Sequence, residues 1–280
     1  METDLSEAIG KRLTLAKSAA REAGALALGY LRDRTTLHYE AKENEQDIVS
    51  RADREAEELL RELIAAYFPD DGLFGEEFGY REGSSGFTWV MDPIDGTSMF
   101  VFGMPNWCVS IAVIHGERTV AGVVYAPATD ELFSASAEEP FAVDGVPLRI
   151  DPSLTLQNAV LGVGISHQVP SDSIAELIRR LLDEGGMFIR NGSGALMLAY
   201  VAAGRLAGYY EPHMNAWDCL AGLFLVERAG GWADDFPGSG SLRDGGSVTA
   251  AAPGARADLC RLIEVSQRAT EARQAAVAGG

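Results

Sequence analysis

Cysteine is scarce. Cys108, Cys219 and Cys260 are the three cysteines in 280 residues, and they are far apart with no C-x-x-C pair. This excludes a disulfide framework and a thiolate zinc cluster and fits a reducing compartment, so a cytoplasmic location is expected. Histidine is nearly as rare. His38, His115, His167 and His213 are scattered, which supports neither a nucleophile–histidine–acid triad nor a zinc motif. No stretch reaches about 18 apolar residues, so no membrane contact is expected. The stretch METDLSEAIGKRLTLAKSAAREAG reads as an amphipathic helix and has no unbroken apolar core of the signal-peptide kind. Basic residues number 23 against 41 acidic ones, a formal net charge of −18. Nucleic acid is therefore not expected as a partner, because a phosphate backbone selects a basic face. A small phosphate ligand is compatible with such a chain where cations mediate the contact. Most of these charges read as solvated surface. Gly162-Val-Gly164 lacks the third glycine of a dinucleotide-binding fingerprint.

Apolar residues make up 47%, and the chain is long enough to bury roughly 75% of its unfolded surface. Its 31 glycines exceed the usual share and point to tight turns or close backbone approaches. Helical spacing runs over residues 4–31 and again over 52–67, where Pro69 closes the segment. Strands are predicted at 87–91, 108–114, 120–125 and 131–136, with a tight turn at Val143-Asp-Gly-Val146. After Pro152 the texture alternates: strands at 159–164, 187–190, 208–211 and 247–252, and helices at 173–183, 195–203, 216–229 and 256 to about 268, with a frayed AVAGG tail. Helices first, then strands, then alternation predicts a layered α/β (α+β) protein. A soft boundary near Asp151-Pro152 divides residues 1–151 from 152–280 as two sub-domains.

The densest chemistry is Trp89-Val-Met-Asp92-Pro-Ile-Asp95-Gly-Thr97. An apolar strand ends in two carboxylates three residues apart. Pro93 interrupts regular pairing and Gly96 permits a sharp turn. Strand C-terminal ends are where α/β folds place ligands, and a helix starting after Gly96 would present N–H groups to a phosphate. Asp92 and Asp95 also suit a turn and an N-cap. Sixteen residues earlier, Gly75-Glu76-Glu77-Phe78-Gly79 reads either as an exposed turn or as a loop aiming one Glu inward. Trp217-Asp218 opens an apolar helix, where Asp218 suits the helix dipole or a shared site. Glu76, Asp92, Asp95 and Asp218 together offer hard oxygen ligands, which Mg²⁺ and Mn²⁺ prefer. Without cations such a group would repel itself.

GEE, DPIDGT and WD in this order resemble the inositol monophosphatase family, within the superfamily that includes fructose-1,6-bisphosphatase. Asp47-Ile-Val-Ser-Arg-Ala-Asp53, with Lys42 before it, resembles the family's D-x-V-T-x-x-D segment. Arg190-Asn-Gly192-Ser193, Ala199–Gly204 and Tyr210-Glu211 are similar to its later motifs. The resemblance implies a five-layered αβαβα sandwich, usually dimeric, with two or three Mg²⁺ (Mn²⁺ as substitute) and lithium sensitivity. Carried over by position, Glu76, Asp92, Asp95, the Ile94 carbonyl and Asp218 are the implied metal ligands. Glu76, Thr97 and Asp53 are the implied catalytic residues, Asp53 holding the Thr97 hydroxyl. Backbone at Gly96, Thr97 and Ser98 is implied to hold the phosphate, and Gly192, Ser193, Glu211 and Asp218 the alcohol, with Asp95 also touching substrate. The implied reaction is in-line attack of activated water on a phosphate monoester, inositol 1-phosphate-like, by a homodimer. Histidinol phosphate and 3′-phosphoadenosine 5′-phosphate are alternative substrates; Phe78-Gly79 resembles histidinol-phosphatase relatives. A non-catalytic binding or regulatory protein on the same fold is the rival. Three positions depart from the family pattern: Met99 in place of Asn, Gly194 after Ser193, and the stretch 211–216.

Overall fold

The computed structural model describes residues 2–33, 39–41, 48–166, 168–238 and 240–278. Lys42 and Asp47 lie outside them. In chain order the elements are α1 (Glu2–Arg32), β1 (Tyr39–Ala41), β2 (Ile48–Ser50), α2 (Arg51–Tyr67), β3 (Gly72–Gly75), β4 (Gly79–Arg81) and β5 (Phe87–Asp95). Then come α3 (Thr97–Val101), β6 (Cys108–His115), β7 (Arg118–Ala126), β8 (Glu131–Ser136), β9 (Ala142–Val143) and β10 (Val146–Pro147). The remainder is β11 (Val160–Val163), α4 (Ser171–Asp183), β12 (Met187–Ile189), α5 (Gly194–Ala202), β13 (Gly208–Met214), α6 (Ala216–Arg228), β14 (Trp232–Ala233), β15 (Gly246–Ala251) and α7 (Arg256–Ala278).

Two sheets dominate the described residues. One has eight strands in the order β10-β9-β8-β7-β6-β5-β3-β4; the other has five in the order β12-β11-β13-β15-β14. Helices α1 and α2 cover the outer face of the larger sheet, α5 and α6 lie between the sheets, and α4 and α7 pair on the far side of the smaller one. The result is the αβαβα sandwich expected. The 151/152 point falls between the last strand of the larger sheet and the first strand of the smaller.

The layers follow from side-chain pattern. Helix α1 turns Ile9, Leu13, Ala16, Ala20 and Ala27 inward at helical spacing. Strands β5 and β6 are apolar on both faces because each is covered on both sides, so they read as unbroken apolar runs rather than alternation. The middle helices sit close to the larger sheet. A Cβ on Gly122 of β7 would come within 2.9 Å of the Ala221 carbonyl in α6, so only glycine allows that approach. The Asp144-Gly145 hairpin between β9 and β10 has both residues at positive φ, as the tight turn required.

The short strands β3, β4 and β14 and the helix α3 fall outside the elements assigned from sequence, being too short to show a period. Helix α7 reaches Ala278, beyond the predicted end near 268, because buried Ser266 and Thr270 bond back to the helix rather than ending it.

A buried ion pair ties α1 to this frame. Arg12 donates from Nε and Nη2 to the two carboxylate oxygens of Asp71 at 2.8 and 2.7 Å. The Trp89 indole and the Ser85 hydroxyl donate to the same carboxylate. The guanidinium also lies 3.6 Å from the Phe87 ring centroid. Asp71→Ala leaves a buried cation unpaired and is expected to cost about 3–5 kcal/mol. The urea midpoint measures this, and adding Arg12→Met should recover part of the loss.

Candidate active site

The site starts where β5 stops being regular. Its pairing with β6 slips between Asp92 and Asp95, around Pro93, which has no N–H to give. The Ile94 N–H donates instead to Asp92 Oδ1 at 2.8 Å. Gly96 follows at φ 95°, and a Cβ there would lie 2.9 Å from the Asn106 carbonyl. Glycine is required on both counts. The chain then enters the single-turn helix α3 with Thr97 first.

Two of the predicted carboxylates stand at the third position of a helix and serve two masters. Asp53 in α2 accepts from the Ser50 N–H at 2.9 Å and the Ser50 hydroxyl at 2.5 Å through Oδ2. Its Oδ1 lies 3.0 Å from the Thr97 hydroxyl, which also sits 3.1 Å from the Ile94 carbonyl. Asp218 in α6 accepts from the backbone and side-chain N–H groups of Asn215, both at 3.2 Å, through Oδ2. In each case one oxygen caps the helix, a capping role the sequence reading did not assign to Asp53.

Glu76 sits on the β3–β4 turn, and sequence reasoning missed what holds that turn. Glu57 of α2 is fully buried and accepts from the Glu77 N–H at 2.7 Å and the Phe78 N–H at 3.3 Å. Arg61 neutralises it at 2.7 Å and donates on to the Gly79 carbonyl. A Cβ on Gly75 would lie 2.1 Å from a Glu57 oxygen. The signal was available: Asp53, Glu57, Leu60 and Ile64 form one inward stripe, so Glu57 occupies a core position.

Glu76, Asp92 and Asp218 bring ligand oxygens within 4.8 Å of one another. Asp95 turns partly aside. Its Oδ2 accepts from Ser193 Oγ at 2.5 Å and from the Ala195 N–H at 2.7 Å, at the N-terminus of α5, whose dipole favours the charge. Burial pushes the Asp92 carboxyl well above the usual range, reinforced by Glu76, Asp95 and Asp218. Burial and then the charges of Asp95 and Glu76 do the same to Asp218. Asp95 is raised by burial against the lowering pull of Ser193 and the α5 backbone. Burial lifts Asp53 to about 6, opposed by its bonds from Ser50.

A cleft of about 340 Å³ opens over these groups, lined by Glu76, Asp92, Ile94, Asp95, Gly96, Thr97, Ser98, Gly192, Ser193, Glu211 and Asp218, with Asp53 behind Thr97. All the predicted site residues are thus brought to one place. The cleft is also lined by residues that follow β12 and β11 or lie within β13 and were not anticipated: Arg190, Asn191, Ile165 and Tyr209. The Tyr209 hydroxyl donates to Glu211 Oε2. Burial lifts Glu211 to about 7, with the Tyr209 bond and nearby Arg190 pulling the other way. Met99 packs against Gly192, whose φ is 91°, so the departure at position 99 braces the two loops against each other. Gly194 leaves room for the Met214 side chain, which a Cβ would meet at 2.3 Å. Phe78 is outside the cleft, exposed beneath Arg61.

The model of the inositol monophosphatase family matches residues 10–271. The chain belongs to that family. Among its relatives is Nus factor SuhB of Haemophilus influenzae, 37% identical over 85% of this chain and 90% of the relative. Inositol-1-monophosphatase of Rhizobium meliloti is 38% identical over 72% of this chain and 77% of the relative. Among solved structures, the extragenic suppressor protein suhB of Bartonella henselae superposes with a TM-score of 0.84 at 31% identity, covering 90% of this chain and 98% of that one. The Thermotoga maritima IMPase reaches 0.82 at 29% identity, covering 92% and 98%. Family members therefore carry two kinds of name, one enzymatic and one not.

The family site predicts a pH-dependent cation effect. Folded carboxyls raised above their unfolded values contribute stability that is full below about 4 and is lost as pH rises through about 6 and beyond. Metal-free protein should therefore lose melting temperature between pH 5 and 8. At 100 times its dissociation constant, Mg²⁺ should restore about 2.7 kcal/mol, several degrees in a thermal melt. Asp92→Asn should raise the metal-free melting temperature at pH 8 and shrink the Mg²⁺ response.

Proposed function

We propose that the chain is a divalent-cation-dependent phosphomonoesterase acting on a small polyol or sugar phosphate, inositol 1-phosphate-like. The observation that carries this is the convergence of Glu76, Asp92 and Asp218 oxygens within 4.8 Å, with Thr97 and Asp95 beside them. The donor set is all oxygen and carries more negative charge than a cleft tolerates unaided, which fits Mg²⁺ or Mn²⁺ and not zinc. Glu76, Asp92, Asp95, Asp218 and the Ile94 carbonyl would hold two or three such ions. When bound, they supply charge neutralisation on the phosphate and leaving oxygen and acidify water.

The chain's own residues do the rest. Asp53 accepts from the Thr97 hydroxyl at 3.0 Å. It draws the Thr97 O–H toward itself, so the Thr97 oxygen faces the cleft as an acceptor for water. Glu76 is the base that takes the water proton. The new P–O bond forms as the bond to the alcohol oxygen breaks in line. Backbone N–H groups at Gly96, Thr97 and Ser98 steady the phosphate, and Gly192, Ser193 and Glu211 face the alcohol. Phe78, exposed and outside the cleft, lends no support to histidinol phosphate as substrate.

The homodimer, lithium sensitivity and cytoplasmic location belong to the same reading. Met187, Phe188 and Ile189 on the edge strand β12 are 60%, 40% and 44% exposed, an apolar edge of the kind a second copy covers. Among the described residues no helix is long and apolar enough to cross a membrane.

Relatives named Nus factor SuhB favour a second reading, a non-catalytic factor on the same fold. The net charge of −18 argues against the chain itself gripping a nucleic-acid backbone.

Phosphate release from inositol 1-phosphate, histidinol phosphate and 3′-phosphoadenosine 5′-phosphate, measured across Mg²⁺ concentrations, separates the readings. Absence of metal-dependent turnover of every phosphomonoester overturns the enzyme. Asp92→Asn should lower kcat about 10³-fold with an unchanged circular dichroism spectrum. Asp53→Asn, whose one oxygen can keep the Ser50 cap while its N–H groups replace the acceptor for Thr97, should cost about 10²-fold in kcat with little change in KM.

A further inference from the structure

One polar group in the cleft has no role in the reading above. Asn191 is 7% exposed and lines the cleft, yet its Nδ2 has no hydrogen-bond partner among the described residues. The orientation of the amide is fixed by chemistry: the other end accepts from the Ser193 N–H at 2.9 Å, which only the oxygen can do. The unpaired end is therefore a donor. A buried donor left unmet is unfavourable by an amount comparable to a lost hydrogen bond, so folded proteins rarely retain one without use.

Its position says what it meets. Asn191 lies two residues past the end of β12, the edge strand parallel to β11; Gly164 follows β11 directly, and Glu211 lies within β13, the parallel neighbour on the other side of β11. Ligands sit beyond the C-terminal ends of parallel strands. These residues line the same cleft as the carboxylate cluster, and Glu211 supplies an acceptor there. A carboxylate acceptor and an amide donor in one cleft match neighbouring hydroxyl groups, each able to give one hydrogen bond and take another. An anionic group on the alcohol would suit Asn191 but not Glu211.

We infer that Asn191 Nδ2 donates to a hydroxyl oxygen of the substrate alcohol and is a further specificity-determining residue of this cleft. This rests on the phosphomonoesterase reading and adds a residue to it.

The test compares inositol 1-phosphate with p-nitrophenyl phosphate, which has no hydroxyl on the leaving group, in Mg²⁺. Asn191→Ala should lower the ratio of kcat/KM for the polyol ester to that for the aryl ester about ten-fold, mainly through KM for the polyol. Asn191→Asp keeps the acceptor for the Ser193 N–H and removes the donor, so the ratio should fall there too. Equal losses on both esters in both variants would mean that the side chain acts only by shaping the Ser193 turn, and the inference is overturned. If wild-type protein hydrolyses neither ester, the function reading fails. The same ratio is then taken from calorimetric Kd values, where a ten-fold change still supports the donor and an unchanged ratio still removes it.

Discussion

Mutual repulsion among carboxylates is the constraint around which this molecule is arranged. Asp92, Asp95, Asp218 and Glu76 meet in one cleft, and burial alone would drive them to protonate. The fold answers, among the described residues, with neutral N–H and O–H donors. It fastens most of these groups by one oxygen to N–H or O–H donors: Asp92 to Ile94, Asp95 to Ser193 and Ala195, Asp218 to Asn215. Asp53 behind them follows the same rule with Ser50. Glu76 is held indirectly, through a turn that Glu57 grips from beneath. Oxygens of Glu76, Asp92 and Asp218 still converge within 4.8 Å of one another, close enough to share a cation.

That arrangement explains the layering. The carboxylates come from β5, the β3–β4 turn and α6, while their anchors come from α2, α5 and the loop after β12. No single sheet could gather them. The middle helices α5 and α6 point their N-termini at the seam between the two sheets, and both ends receive a carboxylate. Close packing of α6 on Gly122 brings Asp218 to the end of β5. The glycine at 122 and the aspartate at 218 are thus parts of one requirement.

Sequence alone revealed the large pieces. Long helices carried clear periods, the central strands stood out as unbroken apolar runs, and GEE, DPIDGT and WD marked the acidic side of the site. Short elements escaped because two to four residues have no period, as in β14 and β3. Asn191, Arg190 and Tyr209 escaped for another reason. Their roles depend on the register in which β12, β11 and β13 run beside one another, and no local spacing encodes that alignment. Glu57 is the intermediate case. Its position on the inward stripe of α2 was visible, but its partners are backbone N–H groups twenty residues away.

The charge balance closes the argument. Among the described residues lining the cleft, Arg190 is the one Lys or Arg, and it stands at the exposed rim. Under the proposed function, affinity for phosphate must then come from cations and backbone N–H groups. Cation and substrate therefore bind as linked ligands, each raising the affinity for the other by the same factor. A cleft lined with arginine would hold phosphate product as firmly as substrate. One that borrows its positive charge from exchangeable ions binds anions only as far as those ions are present, so the net charge of −18 and a phosphate-directed site are compatible features of one design.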